Sequence, residues 1–447
     1  MTTTPYVLDI PFKGARSGAF PLTWGQHWVW ESIVARAPYY SDLSGSHVVA
    51  VPDGCDLSAV ADALAALLDR YETFRTKFSL TPDDVPQQVI LAEGHLRAEV
   101  RDADDAEEAA ATAVRDFNDQ PFTLPELSLR AAVITSDGNP AFVVLCTFHM
   151  AIDCHGMVPV LEHFESLLHG RPDCPGELTH PADRALEEQS AKGVERSARG
   201  VRYWKEELAR FPDDPLPYAG HRPESPRYRT YRMHSEVVRA VSQGLAAELG
   251  VSTAAVILAM AAVRLAGRSG SRTCGIVLAA NHRYDLEAMC YPGTLVQGVP
   301  AALPVADVPP HKLISRCYRA GMLAALVGHC HPGDLAETLR ESYDARAAGA
   351  KLACVVNLDV PEGPDAQEPA GLTRAEAERL LTRSRYERAG GTPVQNERFY
   401  LAAHGNATDF HLSLRADTAV LTSAEIVEFL RDLERALIDC LPDEGAS

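Results

Sequence analysis

Residues 141–164, AFVVLCTFHMAIDCHGMVPVLEHF, decide the fold. The run from Ala141 to Thr147 is apolar and rich in β-branched residues, and it shows no polar alternation, which predicts a buried strand. From Met157 the apolar residues recur at helical spacing, as in Val158, Leu161 and Phe164, which predicts a helix. A short polar turn separates the two, so the chain runs strand, tight turn, helix.

The turn carries three chemically useful side chains, His149, Asp153 and His155. A histidine at the end of a buried strand is held rigidly and can face a cleft. Its unperturbed pKa near neutrality suits it to proton transfer. A core histidine bonded to a backbone carbonyl explains the same position, and the residues of this stretch alone leave both interpretations open.

Length and composition limit the class of protein. The chain has 447 residues, of which 46% are hydrophobic, and this length predicts two domains of roughly 200 residues each. The net charge of -19 argues against nucleic acids and anionic membranes as default partners. No apolar run is long enough to cross a membrane, and the N-terminus lacks a basic region followed by an apolar one, so we expect a cytoplasmic protein.

The cysteines and histidines suggest neither disulfides nor a metal site. The ten cysteines are scattered without a CxxC pair, and most lie in apolar surroundings, which is typical of reduced, buried thiols. Because cysteine and histidine lack the clustered spacing of metal ligands, we expect no bound metal. No GxxxxGK[ST] or GxGxxG motif predicts a phosphate-binding loop.

The predicted elements fall into two α+β halves joined by a linker. We predict an N-terminal half over residues 1–175, a helix and proline-rich linker over 176–227, and a C-terminal half over 228–447. The helix of the linker region is predicted over 187–210, and five prolines follow it within 211–226. Loops are predicted over 361–370 and 387–394, because both stretches are rich in glycine or proline.

The turn in residues 148–154, FHMAIDC, resembles the HHxxxDG motif of the condensation domain family of nonribosomal peptide synthetases. His149 and Asp153 match the second histidine and the aspartate of that motif. Phe148 stands in place of the first histidine, and Cys154 stands in place of the glycine.

Other stretches resemble motifs of the same family, in the family's order and over nearly the whole chain. Residues 70–78, RYETFRTKF, are close to RHExLRTxF, and residues 203–208 match YWxxxL. Residues 21–30 resemble the first motif of the family, residues 250–283 resemble the segment that ends in its arginine-bearing turn, and residues 293–300 resemble GxFVNTLPLR with Gln297 in place of the asparagine.

The resemblance implies a chloramphenicol-acetyltransferase-like fold, with two α/β sandwich halves that form a V-shaped pseudo-dimer around a central tunnel. It also implies a donor acyl or aminoacyl thioester, carried on the phosphopantetheine arm of a carrier protein. An amine or hydroxyl acceptor would enter from the opposite face and give an amide or an ester. No bound cofactor is implied, and we expect a stand-alone, monomeric enzyme.

The resemblance also suggests roles for the residues of the turn. His149 would act as a general base or would position the nucleophile. Asp153 would form a structural ion pair with Arg283 across the interface of the two halves, since a buried carboxylate needs a cation. The alternative for Arg283 is a solvated loop residue.

The two departures from the motif affect the neighbours of His149. Phe148 would shield the turn from water. Cys154 replaces a glycine that permits close backbone approach, and the alternative of a nucleophilic Cys154 has weak support because a cysteine near a histidine is common. His155 would supply a second imidazole or, as we favour, cap the helix that begins near Gly156.

Two further groups of residues are candidates for binding. Trp24, Gln26 and Gln297 would line the tunnel, although large aromatic residues at helical spacing more often belong to a core. A basic stripe on the predicted helix would dock an acidic carrier protein, and the alternative is a solvated helix with internal ion pairs. The central members of that stripe are Arg196, Arg199 and Arg202.

Three functions fit these features. The first is a condensation-type acyltransferase that forms an amide or ester in specialised metabolism, such as nonribosomal peptide or antibiotic biosynthesis. The second is a catalytically silent condensation-like platform that binds a carrier protein and recruits a partner enzyme. The third is an acyltransferase of the same fold that uses coenzyme A as the donor.

Overall fold

The computed structural model describes residues 6–40, 43–171, 176–360, 372–405 and 410–441. The chain divides into two compact units, and the first contains residues 1–195 together with residues 281–296. The second contains residues 196–280 and 297–447. The loop predicted over 361–370 lies outside the described residues. The predicted domain ranges stay predictions; they were 1–175, 176–227 and 228–447. The two compact units are divided differently, because residues 281–296 belong to the first unit.

The elements up to residue 209 belong to the first unit, except that α6 extends into the second. In chain order they are β1 (Tyr6–Lys13), β2 (Gly18–Pro21), α1 (Trp24–Arg36), β3 (Ser44–Ala50), α2 (Leu57–Arg70), β4 (Thr76–Leu80), β5 (Pro86–Ile90), β6 (Glu93–Asp102), α3 (Ala106–Asn118), β7 (Leu129–Ser136), β8 (Asn139–Phe148), α4 (Cys154–Leu168), α5 (Pro181–Glu188) and α6 (Ala191–Ala209). A short 3-10 helix, Glu72–Arg75, follows α2.

The later elements continue this order, and only α9 among them belongs to the first unit. They are β9 (Tyr228–His234), α7 (Glu236–Leu249), α8 (Thr253–Ser269), β10 (Thr273–Ala280), α9 (Leu286–Met289), β11 (Gln297–Pro304), α10 (Pro310–Val327), α11 (Pro332–Ser342), α12 (Ala345–Lys351), β12 (Cys354–Leu358), α13 (Arg374–Leu380), β13 (Arg385–Thr392), β14 (Phe399–Gly405), β15 (Phe410–Asp417) and α14 (Ser423–Ile438). A 3-10 helix, Leu381–Arg383, follows α13.

The first unit is built around a five-stranded sheet of order β1-β6-β7-β8-β3, in which only the pair β6–β7 is parallel. A smaller sheet of order β2-β5-β4 accompanies it. Alternate residues of β8 enter two different cores: Val143 and Leu145 pack with α2 and α4, whereas Val144 and Cys146 pack with α1 and α3. The apolar run without polar alternation therefore reflects a strand that is buried on both faces.

The segment 281–296 is bound closely to the rest of the first unit. The Thr73 hydroxyl donates a hydrogen bond to the carbonyl of Pro292. Gly25 lies so close to the segment that a Cβ there would be 2.2 Å from the carbonyl oxygen of Thr294. These contacts bring a segment from late in the chain to the turn that follows β8.

The second unit contains a seven-stranded sheet of order β11-β10-β12-β14-β15-β9-β13. Strand β12 is parallel to both its neighbours, and the other pairs are antiparallel. Helix α8 packs against α7, α10, α14 and the sheet, and it is buried over most of its circumference, which is typical of a helix that is apolar all round.

Two local predictions were wrong. The helix predicted over 187–210 is two helices, because α5 ends at Glu188 and α6 begins at Ala191. The loop predicted over 387–394 is largely strand β13, which pairs with β9 at the edge of the sheet. The register of that pair shifts between Arg388 and Gly390, which marks a β-bulge, and Gly390 has φ of 121°. Both glycines then pair with β9, so the strand continues through them instead of ending.

Within the described ranges, no single helix has the length and apolar composition needed to cross a membrane. Helices α7 and α8 meet both criteria only when they are taken together, and they are bent by 109° relative to each other.

Candidate active-site turn

The turn between β8 and α4 is fixed through its backbone at His149. The His149 amide donates to the carbonyl of Leu43 at 3.0 Å. The hydroxyl of Thr294 donates to the carbonyl of His149 at 2.7 Å. The amides of Ala151 and Ile152 donate to the carbonyl of Phe148 and close the turn. The backbone of His149 is therefore fixed by an internal turn and by the segment 281–296.

Asp153 holds the other end of the turn. It is the N-cap of α4, and its Oδ1 accepts a hydrogen bond from the amide of Gly156 at 2.8 Å. Its Oδ2 accepts from the amides of Leu295 and Val296 at 2.8 and 3.2 Å. One carboxylate thus joins the start of α4 to the end of the segment 281–296.

The same carboxylate forms a bidentate ion pair with Arg283. The Nη1–Oδ2 distance is 2.9 Å and the Nη2–Oδ1 distance is 2.8 Å, and the two side chains are 2% and 4% exposed for Asp153 and Arg283. Arg283 also donates to the carbonyl of Gly293 at 2.8 Å. Charge-assisted, bidentate pairs of this kind are strong and geometrically specific.

The environment keeps Asp153 ionised. Burial by itself raises the pKa of the Asp153 carboxyl group. The charge of Arg283 and the hydrogen bonds from Arg283, Leu295 and Gly156 outweigh burial, so this pKa lies below its usual value. Asp153 therefore serves as a fixed anion and is poorly suited to donate a proton near neutral pH.

The predicted ion pair is present, with one correction. Both Asp153 and Arg283 belong to the first unit, so the pair does not link two halves as expected. Arg283 is not a solvated loop residue, because its side chain is almost completely buried.

Gly156, two residues after Cys154, has no room for a side chain. A Cβ at this residue would lie 2.8 Å from the carbonyl oxygen of Gly293 and 3.0 Å from Nη2 of Arg283. Any larger side chain would displace the arginine or the segment that carries it. Gly156 was predicted to lie in the turn, but it belongs to the first turn of α4, and its role there is to let the segment approach the helix.

His149 is half-buried at the end of β8. Its Nδ1 atom is buried and has no hydrogen-bond partner among the described residues. No carboxylate of the described chain therefore orients this nitrogen, in contrast to the histidine of a catalytic triad. The position of the imidazole is set by its backbone, and the side chain remains able to contact a substrate.

The Phe148 ring packs in the same core cluster as Met150 and Ala151 of the turn, and its expected role in shielding the turn from water stays a prediction. The ring is buried in the core of the first unit, stacked on Phe122 at a centroid distance of 5.2 Å and edge-on to Phe78 at 5.7 Å. Because its side chain packs into this aromatic cluster, the replacement of the motif's first histidine adds core contacts to the end of β8.

Cys154 and His155 occupy the first two positions of α4. Cys154 is exposed and His155 is half-buried. The helix is capped by Asp153, so the interpretation of His155 as its cap was wrong. Asp153 was the better candidate in the sequence, because aspartate is a strong N-cap residue three positions before Gly156.

The three residues expected to line a tunnel are buried and serve local structure. Gln26 forms a capping box with Thr23 at the start of α1, and Trp24 donates its amide proton to Glu188 at 2.7 Å. The side chain of Gln297 exchanges two hydrogen bonds with the backbone of Cys330, at 2.8 and 3.0 Å. The two glutamine amides are already bonded within the protein, so they serve capping and loop attachment.

The basic stripe on α6 is only partly exposed. Arg199 and Arg202 are exposed, whereas Arg196 is half-buried and its Nε atom is inaccessible to solvent. The buried side of this helix contacts its surroundings closely, since a Cβ at Gly200 would be 2.5 Å from the carbonyl oxygen of His329. A docking surface on α6 would therefore depend on Arg199 and Arg202.

The sequence did not identify Thr294 or Thr73 as parts of the site. Both act through hydroxyl groups that bind backbone carbonyls, of His149 and Pro292 respectively. The Thr73 position lies within the stretch 70–78 that matches a family motif, which was a usable signal. Thr294 lies within the stretch 293–300 that resembles another family motif, but its partner could not be predicted, because that depends on where the segment 281–296 lies in the fold.

The class of protein follows from comparison of the whole sequence with known families. The sequence model of the condensation domain matches residues 18–314, more than half of the chain. The chain therefore belongs to the condensation domain family, whose members are acyl-transferring enzymes, and the resemblance seen in the motifs is confirmed.

Individual relatives agree with this assignment. A plipastatin synthase protein of Bacillus subtilis is 26% identical over 279 residues, which are 60% of this chain and 10% of that protein. The chain thus spans a tenth or less of the length of the curated relatives that it matches.

Solved structures with the same fold have low sequence identity. The condensation domain for chain release from the enacyloxin polyketide synthase has a TM-score of 0.77 and 19% identity, with 97% of this chain and 84% of that chain covered. The X-domain from teicoplanin biosynthesis, solved in complex with OxyB, has a TM-score of 0.65 and 19% identity, with 95% and 94% covered. The predicted α+β, chloramphenicol-acetyltransferase-like fold is confirmed.

Proposed function

We propose that this chain transfers an acyl or aminoacyl group from a carrier-protein thioester to an amine or hydroxyl acceptor. The donor arrives on the phosphopantetheine arm of the carrier, and the product is an amide or an ester. The observation that supports this proposal is the turn itself: His149 projects from a backbone that is fixed on both sides, next to a carboxylate that is committed to Arg283.

His149 is the residue that handles the proton in this proposal. As the acceptor nitrogen or oxygen attacks the thioester carbonyl carbon, the neutral imidazole takes up the acceptor proton or holds the acceptor in place. The new C–N or C–O bond forms, the C–S bond breaks, and the acceptor proton passes to the departing thiolate of the carrier arm, by way of the imidazole when His149 acts as the base. Positioned proton transfer of this kind contributes about 10²- to 10⁴-fold to the rate.

Asp153 and Arg283 act as positioning residues. Their ion pair fixes the start of α4 relative to the segment 281–296, and Thr294 of that segment binds the His149 carbonyl. A displacement of about 1 Å in such a turn is enough to reduce a rate about 100-fold. The proposal therefore assigns the loss of activity in variants of the pair to misplacement of His149.

Carrier docking is the less specific part of the proposal. Arg199 and Arg202 are cations at the accessible side of α6 on a protein with a net charge of -19, and carrier proteins are acidic. The monomeric state and the cytoplasmic location stay predictions.

The experiment that tests the proposal supplies one acyl group on two donors. Purified protein is incubated with an acyl-loaded carrier protein or with the same acyl group on coenzyme A, together with a panel of amines and alcohols. Release of thiol and the mass of the product are followed. We expect product from the carrier-bound donor; product from coenzyme A with none from the carrier would instead support the coenzyme A-dependent acyltransferase.

A second candidate function is a catalytically silent platform that binds a carrier protein and recruits a partner enzyme. It is favoured by the two departures from the family motif, Phe148 and Cys154. The X-domain, which has the same fold, was solved in complex with OxyB. Carrier binding without transfer to any acceptor in the same experiment would support this candidate over the first.

A further inference from the structure

Three histidines stand side by side on one face of the sheet of the second unit. His404 on β14 pairs with His411 on β15, and His411 pairs with His234 on β9. Their neighbours Ala403, Leu412 and Met233 point to the opposite, buried face. We call His234, His411 and His404 the histidine row. Its members are exposed or half-buried.

The spacing of the histidine row is close to that of metal-bound imidazoles. The ring centroids of His234 and His411 are 5.3 Å apart, and those of His404 and His411 are 5.7 Å apart. Two imidazoles that bind one tetrahedral Zn²⁺ at about 2.1 Å place their ring centres about 5 Å apart. Small rotations about χ2, a soft torsion in histidine, are enough to aim two nitrogens at one ion.

A carboxylate lies next to one end of the row, and the charge of a second one acts on the other end. The Glu387 Oε1 lies 3.4 Å from the Nε2 of His234. Asp359 follows β12 and acts electrostatically on His404. The ligands that the row itself offers are pairs of imidazole nitrogens, from His411 with either neighbour, and imidazole suits divalent transition metals such as Zn²⁺ or Ni²⁺.

One cation, Arg232, competes with a metal ion at the row. Arg232 lies next to the row on β9, with its Nη1 atom 3.3 Å from the Oε1 of Glu387. Its charge also acts on His404. A metal ion at the His234 end has to share or displace the contact between Arg232 and Glu387. The Arg232–Glu387 ion pair lies at the His234 end of the row. The His234 end and the His404 end are therefore expected to differ in their affinity for a metal ion.

We propose that the histidine row binds one divalent transition-metal ion, held by His411 together with either His234 or His404. The two arrangements are alternatives, because both use the imidazole of His411. A bound ion would join β15 to β9 or to β14 and would stabilise this part of the sheet, since a ligand that binds only the folded state raises the unfolding free energy.

The sequence concealed this site because its residues are far apart along the chain. His234 precedes the other two by most of the second unit, and no spacing rule for metal ligands connects them. Only the strand order β14-β15-β9 brings them together. The histidine row thus offers a metal site where the sequence predicted none, and its residues are separate from those of the proposed acyl transfer.

The test is Zn²⁺ titration of the full chain, purified without a histidine tag, by calorimetry and by the shift in the thermal midpoint. We expect one ion per chain and a rise in the midpoint. His411→Ala is expected to weaken binding at least about tenfold, because it affects both arrangements. His234→Ala and His404→Ala are each expected to have a smaller effect, because one arrangement remains.

His95→Ala is the matched control, because His95 is an exposed histidine on β6 of the first unit. Its binding should equal that of the unchanged protein. If His411→Ala does not fold, His411→Gln serves in its place. Zn²⁺ binding that is equally tight in the His411 variant, or that is lost equally in the His95 variant, would overturn the proposal.

Discussion

At the scale of single residues, the Asp153–Arg283 pair contributes to position more than to net stability. The desolvation free energy of two buried charges offsets most of their mutual attraction. Removal of one partner, however, leaves the other charge buried and unpaired. The pair nevertheless joins α4 to the segment 281–296 through five contacts of a single carboxylate. This arrangement suits a residue that must hold a neighbouring side chain in place.

Asp153→Asn should therefore destabilise the protein strongly. The amide is nearly isosteric, but Arg283 loses its buried counter-charge, and we expect a loss of about 3–5 kcal/mol in the free energy of unfolding. Denaturant unfolding at pH 7 measures it. Asp104→Asn is the control, because Asp104 is an exposed residue before α3, and it should change the free energy by less than about 0.5 kcal/mol.

The same variant has a predicted pH dependence. The pKa of Asp153 is lower in the folded state than in the unfolded state, so its contribution to stability is fully present above the unfolded pKa of about 3.9. That contribution is lost as the pH falls through the folded-state pKa. The stability difference between the unchanged protein and Asp153→Asn should shrink in acid, and a difference that grows below about pH 4 would contradict the direction of the shift.

Sequence reasoning worked unevenly at this scale. It found the Asp153–Arg283 pair because a family motif located one partner and a buried carboxylate requires the other. It did not predict the aromatic partners of Phe148, because Phe78 and Phe122 lie far away in the chain. It also misassigned Gln297, whose side chain binds a backbone in a distant loop.

At the scale of elements, the start of α4 is defined by an aspartate cap and a glycine. Asp153 supplies the first hydrogen bond of the helix, and Gly156 lets the carbonyl of Gly293 approach the first turn. Helix propensity alone favours alanine over glycine by about 1 kcal/mol. The presence of glycine at this position therefore indicates a packing requirement.

Gly156→Ala should destabilise the protein and reduce acyl transfer together, because the new methyl group meets the carbonyl of Gly293 at 2.8 Å. Thermal unfolding and the transfer assay measure the two effects. Gly244→Ala is the matched control: Gly244 lies within α7 with nothing within 4 Å of an added Cβ. That change should be neutral or stabilise by up to about 1 kcal/mol, and a Gly156→Ala protein that behaves like it would argue against the packing requirement.

Most elements could be predicted from periodicity and caps, and the failures have physical causes. The start of α14 is one example, because Thr422 and Glu425 form a capping box there, a pattern that can be read directly from the residues. The break between α5 and α6 was missed because residues 187–210 contain no proline and their polar pattern continues through the break. Strand β13 was missed because a bulge at an edge strand accepts the two glycines that otherwise indicate a loop.

At the scale of the whole molecule, the chain order and the compact units do not coincide. Residues 281–296 leave the second unit after β10, contribute Arg283 and Thr294 to the first unit, and return as β11. The sequence predicted two α+β halves and the fold class. It could not predict this exchange, because no local pattern shows which unit a short polar segment joins.

The exchange makes a prediction about folding. A fragment of residues 1–195 lacks Arg283, so Asp153 would be a buried and unpaired anion, and we expect the fragment not to reach its native packing. Near-ultraviolet circular dichroism or a two-dimensional NMR spectrum measures this. The control is the same fragment fused through a flexible linker to residues 281–296, which should recover native packing at least in part; native spectra from residues 1–195 alone would refute the prediction.

The most direct test of the central claim, that His149 is the proton-handling residue of an acyltransferase, is a single-turnover measurement with an acyl-loaded carrier protein. The unchanged protein, His149→Ala and the exposed-site control His95→Ala are compared after thermal unfolding has shown that all three are folded. We predict that His149→Ala transfers the acyl group at least about 100-fold more slowly, while His95→Ala keeps the full rate. Transfer by His149→Ala at the unchanged rate would contradict the account.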